Sequence, residues 1–452
     1  MMRSLYSGVS GLRAQQTKLD VISNNIANVN TIGYKSQNVS FSDILSQTLS
    51  GATGANASSQ RAGTNPVQVG LGVSISAINT LMSVGSTQTT GNSNDLAISG
   101  SGFFIVQGGS TGDYQFTRNG NFGVDESGNL TVNGYTVCGW SNYTESADGT
   151  FVYDTQRAVE GINLFSDIYN GNKQILGAQA TTAATLKGNL DPSLEAQGDA
   201  IDDIGTDYTA DVTSTMTVYD NQGNSYDVQV NFSKCYIDST DPDNPVTSWY
   251  WETDTSSTNL TVSGSGYLQF DQNGNIITTD PLYSTTPQIT LTPTGANAST
   301  AAFNVNLDIS GVSTYVSSGT NGVTVPTIDG CEAGDLQDFT IGTDGVITGV
   351  YSNGLTQPLG MIALANFANP SGLEKIGENL YATTANSGDF TGGLAAGTGG
   401  TGKLSSGTLE MSNVDLAEQF SELMITQRAY QANSKVISAA DEIMQTLVNL
   451  IR

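Results

Sequence analysis

The two ends of the chain carry an apolar repeat of seven residues, and this feature constrains the fold more than any other. At the carboxyl end the repeat consists of Leu416, Leu423, Tyr430, Ile437, Met444 and Ile451, with companions four residues on at Phe420 and Val448. At the amino end it consists of Leu5, Leu12, Leu19 and Ile26, with the companion Val9. Such spacing is typical of a helix that packs along a seam on another helix. We therefore predict these residues as a subunit-assembly seam.

Matching seams at opposite ends of 452 residues indicate a chain that leaves along one helix and returns along another. The predicted fold class is mainly β with terminal α-helices that pair, in a discontinuous multidomain subunit with nested β-domains between the helices. Polar residues at companion positions, such as Gln16 and Gln427, favour one register and one number of partners. A helix of about 30 residues is ~45 Å long, so we expect these ends to be frayed in an isolated subunit.

Charge is distributed unevenly along the chain. The net charge is −27, from 15 basic and 42 acidic residues. Residues 1–35 have four bases and one acid, whereas residues 408–452 have six acids and three bases. These opposite signs suit pairing of the terminal helices, within a subunit or between neighbours. Ordinary solvated helix faces explain any single charge equally well.

Composition divides the chain into nested segments. The terminal helical assembly domain is predicted at 1–35 and 408–452, with a helix stop in NVNTIGYK (28–35). Small polar residues predict linkers at 36–75 and 391–407. Alternating apolar residues and Asn-Gly turns predict an inner β-domain at 76–145 and 355–390 and an outer inserted β-domain at 146–354, of one or two subdomains.

Asn-Gly pairs mark the predicted hairpins. The clearest is LTV-NG-YTV, in which two alternating triplets flank Asn133-Gly134. The pairs Asn119-Gly120, Asn273-Gly274 and Asn353-Gly354 repeat the signal.

The sequence speaks against an enzyme and against a cofactor or metal site. It contains no histidine, which removes the commonest general base and metal ligand. Acidic pairs such as Asp202-Asp203 and Asp241/Asp243 stand in polar turns, without the apolar surroundings that raise a catalytic pKa. GTGGTGKL (397–404) has Leu404 where a phosphate-binding loop needs Ser or Thr. The acidic turns DNQGNS and DQNGNI lack the ligand set of a calcium loop.

Composition also bears on partners and location. The acidic balance disfavours nucleic acid. No long apolar run predicts membrane insertion, and the start lacks the layout of a cleaved signal peptide, so we expect export by another route. The three cysteines, Cys138, Cys235 and Cys331, lie far apart; they are either small buried hydrophobes or, for one of them, a link between subunits.

Long segments resemble the bacterial flagellar axial proteins, the family of rod, hook and hook-associated subunits. SGVSGLRAQQTKLDVISNNIANVNTIGYK (7–35) is similar to the family's amino-terminal signature, and SNVDLAEQFSELMITQRAYQANSKVISAADEIMQTLVNL to its carboxy-terminal one. DLAISGSGFFIVQ and LGMIALANFANPSGLEKIGENLYATTANSG resemble the β-domain shared by hook and distal-rod subunits. TVYDNQGNSYDVQVNFSK (217–234) resembles the outer domain of hook subunits, and the long insertion argues against a rod subunit.

The resemblance implies a mechanism and partners. It implies a homo-oligomeric helical tube, curved and flexible, that transmits motor torque to the filament as a universal joint. The implied partners are the flagellar rod, the hook cap, the hook-filament junction proteins and the flagellar type III export apparatus, and the implied location is extracellular. A distal-rod or other axial subunit remains the alternative. A secreted adhesin or glycan-binding β-protein is the alternative from another class, although it would not explain seams at both termini.

Overall fold

A computed structural model describes residues 2–54, 62–108, 112–146, 150–200, 202–205, 207–239, 245–255, 259–277, 287–317 and 321–450. The chain forms two compact units. Unit 1 comprises 1–173, 339–349 and 357–452, and unit 2 comprises 174–338 and 350–356. Both ends of the chain thus belong to unit 1, and unit 2 is inserted into it. The predicted fold class, mainly β with paired terminal helices and nested β-domains, is confirmed.

Unit 1 contains two long helices, α1 (Met2–Ala27) and α2 (Leu416–Leu450). The helix stop predicted in 28–35 is confirmed, because α1 ends at Ala27 and Gly33 adopts a φ of 68°. At the start of α2 the Asp415 carboxylate accepts hydrogen bonds from the backbone N–H of Ala417 (2.8 Å) and Glu418 (3.3 Å). This side chain caps backbone donors that have no partner within the helix.

The strands of unit 1 are mostly short. Those before unit 2 are Gln37–Asp43, Ser46–Ser50, Val67–Gly70, Val73–Thr80, Thr87–Thr89, Leu96–Ser99, Phe103–Gln107, Tyr114–Thr117, Gly123–Val124, Leu130–Val132, Tyr135–Trp140, Tyr143–Glu145, Phe151–Tyr153, Glu160–Gly161, Ser166–Asp167 and Gly171–Asn172. Those after it are Leu364–Ala365, Glu374–Gly377, Leu380–Ala382, Lys403–Ser406 and Thr408–Glu410, with a 3-10 turn at Pro370–Gly372. The strands Gly334–Ile341, Val346–Tyr351 and Thr356–Ile362 carry the chain between the units.

The core of unit 1 lies on an antiparallel sheet, in which the strand Phe103–Gln107 pairs with Tyr114–Thr117 on one side and with Tyr135–Trp140 on the other. Aromatic rings cover it: the ring of Phe103 meets Phe367 at 6.0 Å and Tyr381 at 5.8 Å, edge to face. Such edge-to-face contacts add to the stabilisation that burial alone gives.

The predicted boundary at 146 lies too early. The strand Glu160–Gly161 pairs with Tyr135–Trp140, so the segment up to 173 belongs to unit 1. The hairpin at Asn133-Gly134 is confirmed, with φ values of 50° and 83° at the two turn residues. The hairpin at Asn119-Gly120 is wrong: a Cβ on Gly120 would lie 1.7 Å from the Leu96 carbonyl oxygen, so this glycine permits a close backbone approach.

The segment 36–75, predicted as a flexible linker, instead forms most of a long β-hairpin, here called the arm (37–80). Gln37–Asp43 pairs antiparallel with Val73–Thr80, and Ser46–Ser50 with Val67–Gly70; residues 55–61 lie outside the described part. The arm carries exposed apolar side chains, including Ile44 and Leu45, which composition did not indicate.

The predicted linker at 391–407 is likewise structured. Its strand Lys403–Ser406 pairs with Leu96–Ser99, and the side chain of Leu404 is buried. The abundant glycines of this segment therefore permit close packing, since a Cβ on Gly402 would lie 2.4 Å from the Ser99 carbonyl oxygen.

Unit 2 is a β-sandwich. Its four-stranded sheet contains Val212–Tyr219, Ser225–Asp238, Val246–Thr255 and Ser265–Phe270; its five-stranded sheet contains, in order, Leu260–Ser263, Gln288–Pro293, Phe303–Ser313, Ala183–Asn189 and Gly322–Ile328. The strand Ile175–Leu176 and the 3-10 turn Gly295–Asn297 complete the unit.

Side chains from both sheets of unit 2 form one hydrophobic cluster. Val218, Val230 and Trp249 come from the four-stranded sheet, and Leu186 and Leu307 from the five-stranded sheet. Val212–Tyr219 alternates between buried and less buried residues, as the sequence pattern predicts for a strand with one face on a core. The two sheets of unit 2 therefore share a core within the described residues.

Candidate assembly surface

The contact between helices α1 and α2 includes two glycines and several polar side chains. A Cβ on Gly8 would lie 3.2 Å from Ile437, and one on Gly11 would lie 2.8 Å from the Asn433 amide, so both glycines let the helices approach closely. Farther along, Lys18 Nζ lies 3.3 Å from Glu422 Oε1. The opposite charges of the two ends thus meet within the subunit in at least this one pair.

The intramolecular contact uses a different face of α1 from the predicted seam. At 100° per residue, the residues that face α2 (Gly8, Gly11, Lys18 and Asn25) lie roughly 100° around α1 from the predicted apolar repeat. Asn25 extends this face by donating a hydrogen bond to Gln419 Oε1 at 3.0 Å. The contact thus includes glycines, an ion pair and an amide pair, and buried Ala14 and Ile22 lie on the same face of α1, whereas most of the apolar repeat lies to the side.

The predicted seam residues fall into two groups. Partly buried are Leu5, Leu12, Leu19, Ile26, Leu423 and Ile437; exposed are Val9, Leu416, Phe420, Tyr430, Met444 and Val448. Ile451 lies outside the described residues. The structure thus brings Ile437 against Gly8 within the subunit and leaves half of the seam open to solvent.

Helix α2 exposes an unusual amount of apolar surface. Its exposed large apolar side chains are Leu416, Phe420, Met424, Ile425, Tyr430, Val436, Ile443, Met444, Leu447 and Val448, with exposed fractions from 38% to 67%. Single exposed apolar residues are normal, but ten large ones along one helix indicate a site of interaction with another molecule. This surface, together with the exposed apolar residues of the arm, is the candidate assembly surface.

A buried ionic cluster lies where the helices join the β-sheet of unit 1. Glu410 accepts a hydrogen bond from Lys35 Nζ at 2.6 Å and one from Arg118 at 3.1 Å, and the side chains of all three residues are at most 4% exposed. The backbone N–H of Gly85 donates to the same carboxylate at 2.9 Å. One carboxylate thus ties the segment after α1, the sheet and the segment before α2 together.

Amide side chains extend this junction. Asn25 at the end of α1 accepts hydrogen bonds from the Tyr34 hydroxyl (3.2 Å) and from the backbone N–H of Gln37 (3.0 Å). Asn413, just before α2, accepts one from the backbone N–H of Ser36 (2.8 Å) and donates one to the Leu81 carbonyl (2.8 Å). These bonds fix the directions in which both helices leave the sheet.

Burial dominates the electrostatics of the cluster. It lowers the pKa of Lys35 from its ordinary value, and the neighbouring Glu410 carboxylate offsets only part of that shift. Burial lowers the pKa of Arg118 in the same way, with Glu410 again opposing the shift. Two cations share one anion out of contact with water, and such a cluster is costly to disrupt by removing one partner.

Sequence reasoning did not identify this cluster. It counted Lys35 and Glu410 among the terminal charges but could not pair residues 375 positions apart. One signal was available in the sequence. Both residues stand where the predicted helical domain meets the predicted β-domain, and residues at such a boundary can be buried between the two.

Acidic side chains and thiols are the groups that could serve other chemistry. Among the described residues, no group of three or more His, Cys, Asp or Glu side chains could hold a metal ion. Cys138 and Cys235 are buried and Cys331 is partly buried, all as free thiols. Burial raises the pKa of Cys138 to about 12, which makes it unreactive. Across the described ranges, no helix is both long and apolar enough to cross a membrane.

Four family models match the chain in succession. "Flagella basal body rod protein" matches residues 5–35 and "Flagellar hook protein FlgE/F/G D1 domain" matches 97–164. "Flagellar basal body protein FlaE D2 domain" matches 185–331, and "Flagellar basal body rod FlgEFG protein C-terminal" matches 405–450. The D1 match lies within unit 1 and the D2 match within unit 2.

Full-length relatives agree with these matches. The chain is 37% identical to the flagellar hook protein FlgE of Treponema pallidum and 38% identical to that of Borreliella burgdorferi, with 100% of each chain covered. It is also 30% identical to the flagellar basal-body rod protein FlgG of Bacillus subtilis, again with 100% of both chains covered. The length of the insertion therefore does not by itself distinguish a hook subunit from a rod subunit.

Proposed function

The chain belongs to the flagellar hook protein family, and from that premise we propose how it acts as a structural subunit of the hook. Subunits polymerise through the candidate assembly surface into a curved, flexible tube that transmits motor torque to the filament. The observation that carries this proposal is the set of exposed apolar side chains on α2, because a subunit with so much apolar helix surface gains free energy by burying it against neighbours. The exposed seam residues of α2 lie on one side of the helix and are the proposed contacts.

The structure also supports a division of roles between the layers of the subunit. The buried cluster of Lys35, Arg118 and Glu410 fixes the terminal helices to the sheet of unit 1. Bending of the tube then requires sliding between subunits rather than motion at this junction. The inserted unit 2 supplies the outer contacts that set curvature and stiffness.

The finer partners follow from the family and belong to the same proposal. We infer that subunits leave the cell through the flagellar export apparatus, add to the tube beneath a hook cap, and meet the rod at one end and the hook-filament junction proteins at the other. The location is then the extracellular hook, and no enzymatic step is involved.

Polymerisation of the purified full-length chain tests the proposal. Negative-stain electron microscopy should show tubes about as wide as a flagellum. Phe420→Asp places a charge on the α2 face at a residue that is 51% exposed, so the variant should keep its folded unit 1 and lose polymerisation. Ser421→Asp, at an exposed polar position of the same helix outside the predicted seam, is the matched control. Normal tubes from Phe420→Asp would contradict the assignment of this face.

A distal-rod subunit is the alternative, because one full-length relative is named as a rod subunit, but the relatives named as hook proteins are more similar to this chain. The two functions predict different polymers, since a rod is straight and stiff and a hook is curved and flexible. Antibody labelling of isolated hook–basal bodies separates them: label on the curved segment supports the hook, and label confined to the straight axle supports the rod.

A further inference from the structure

We propose that the last two turns of α2 in one subunit dock into an apolar groove between α1 and the arm of a second copy of this chain. The inference deepens the proposed function and rests on it, because the two surfaces can meet only in an assembly. It specifies which parts of the chain make one of the subunit contacts.

The first observation is that α2 extends beyond α1. The helices are antiparallel, and Gly8 lies against Ile437. Because the first described residue of α1 is six positions before Gly8, α2 passes that end near residue 443, and at 1.5 Å per residue the segment 443–450 extends roughly 10 Å farther. This segment, the overhang, exposes four large apolar side chains: Ile443, Met444, Leu447 and Val448.

The second observation is a groove on the opposite side of α1. It has a volume of about 490 Å³ and is lined mainly by Tyr6, Val9, Arg13, Ile44, Leu71 and Ile75. On a helical wheel the residues of α1 that line it lie roughly 130° from the face that contacts α2. The subunit's own α2 packs on the other face, so a helix in this groove has to come from another molecule. Tyr6 is 68% exposed and Ile44 53% exposed, which leaves apolar surface available to it.

Charge identifies the occupant. The groove carries Arg13, which is exposed and takes part in none of the ion pairs within the described ranges. The overhang follows directly after Asp441 and Glu442, two exposed acids. An apolar helix segment preceded by acids matches an apolar groove with a basic rim in polarity and in the sign of its charge.

Two different patches of one chain would meet in this contact. A contact of this kind is heterologous and does not close on itself, so repetition produces an open helical polymer. That is the symmetry a tube requires.

Cysteine cross-linking between two variants tests the contact directly. Full-length subunits with Cys331→Ser carry either Val9→Cys or Leu447→Cys, and they are mixed as monomers, polymerised and oxidised. Disulfide formation requires Cβ atoms about 4 Å apart, so a covalent dimer should appear on a denaturing gel in the polymer and not in the monomer mixture. Ile425→Cys, on an exposed position of the middle of α2, replaces Leu447→Cys as the control and should give none.

The other outcomes are equally decisive. Tubes without the dimer would overturn the inference and leave the proposed function intact. In a further experiment, Leu49→Cys replaces Leu447→Cys. A dimer between Val9→Cys and Leu49→Cys would assign the groove to a neighbour's arm and would also overturn the inference. If the unaltered chain forms no tubes, the proposed function and the inference both fail.

A charge-reversal series provides the second readout. Arg13→Glu should raise the critical concentration for polymerisation roughly tenfold, because like charges would then meet across the contact. Combining it with Asp441→Arg should restore polymerisation, because Asp441 is the acid that flanks the apolar side of the overhang. Combining it with Glu418→Arg, at the distant start of α2, should not. Equal rescue by both would show a general charge effect and contradict the specific contact.

Discussion

Replacing Glu410 by Gln tests whether the buried cluster holds unit 1 together. The side chain keeps its size but loses its charge, while Lys35 and Arg118 remain buried beside it. Removing one partner of a buried ion pair costs about 3–5 kcal/mol, because the remaining charge is left without compensation. Here two cations lose their anion, so we expect a loss at the upper end of that range in the free energy of unfolding of unit 1.

Lys35→Met is the matched comparison. It leaves Glu410 paired with Arg118, so a one-to-one ion pair survives. Lys35 Nζ also donates a hydrogen bond to the Ser83 carbonyl at 2.8 Å, and Lys35→Met removes this donor. The loss of that hydrogen bond costs about 1–3 kcal/mol. Glu410→Gln should therefore lose more unfolding free energy than Lys35→Met, because it leaves two uncompensated charges and Lys35→Met leaves none.

Tryptophan fluorescence can follow each unit separately during urea unfolding. Trp140 is buried in unit 1, whereas Trp249 and Trp251 are buried in unit 2. Variants with Phe at the unit 2 positions report unit 1, and a variant with Phe at Trp140 reports unit 2. The midpoint of unit 1 should fall in Glu410→Gln, while that of unit 2 stays constant.

The pH dependence of the stability of unit 1 tests the role of the Glu410 charge. Burial lowers the pKa of Lys35 below its ordinary value of 10.5, so the unfolded state binds more protons in that range and stability rises with pH. Without the Glu410 charge this shift grows, since that carboxylate is what opposes it. The loss of unfolding free energy in Glu410→Gln, relative to the parent chain, should therefore become smaller as pH approaches 10.5. A Glu410→Gln variant as stable as the parent, or less affected than Lys35→Met, would refute the reasoning.

Three further predictions concern the fold and its assembly. Burial raises the pKa of Cys138 from 9.0 to about 12, so between these values only the unfolded state ionises. Unit 1 should therefore lose stability as pH rises through this range. Cys138→Ala should reduce the difference between the urea midpoints of unit 1 measured at pH 8 and at pH 10.5. Gly33→Ala should cost about 1–3 kcal/mol, because φ is 68° and the new Cβ would lie 2.9 Å from backbone, whereas Gly354→Ala, with φ of 79° in open space, should cost less in urea unfolding. Residues 176 and 334 are paired on neighbouring strands, so Asn-Gly can replace 177–333 as a hairpin turn. The shortened subunit should still polymerise, and cryo-electron microscopy should show thinner tubes of altered curvature. Failure to polymerise although unit 1 is folded would contradict the division of roles.

The monomer itself provides one more test. We expect residues 5–30 and 416–450 to be frayed before assembly, because long helices with little tertiary packing are marginal in water and ten large apolar side chains of α2 are exposed. Amide hydrogen exchange of a verified monomer should show weak protection in both ranges compared with the β-sheet. Strong protection there would mean that the intramolecular contact alone stabilises the helices.

The sequence by itself determined the helices at the two ends, the nested arrangement of the β-domains and the hairpin at Asn133-Gly134. These features depend on local periodicity, on turn chemistry and on the order of segments, all of which can be read from the chain one residue after another. The family also followed from contiguous motifs, which the full-length relatives confirm.

Tertiary structure alone decided which helix face meets which partner. Gly8 and Gly11 gave no apolar signal, yet they make the closest contact with α2, because what matters there is the space available for a neighbour. The segments 36–75 and 391–407 were expected to be linkers. Instead, 36–75 pairs within the arm, and 391–407 contributes a strand that pairs with the distant strand Leu96–Ser99. The cluster of Lys35, Arg118 and Glu410 depends on contacts between residues hundreds of positions apart. Local sequence cannot determine such pairings, since the free energy of a buried charge is set by whatever the fold places beside it.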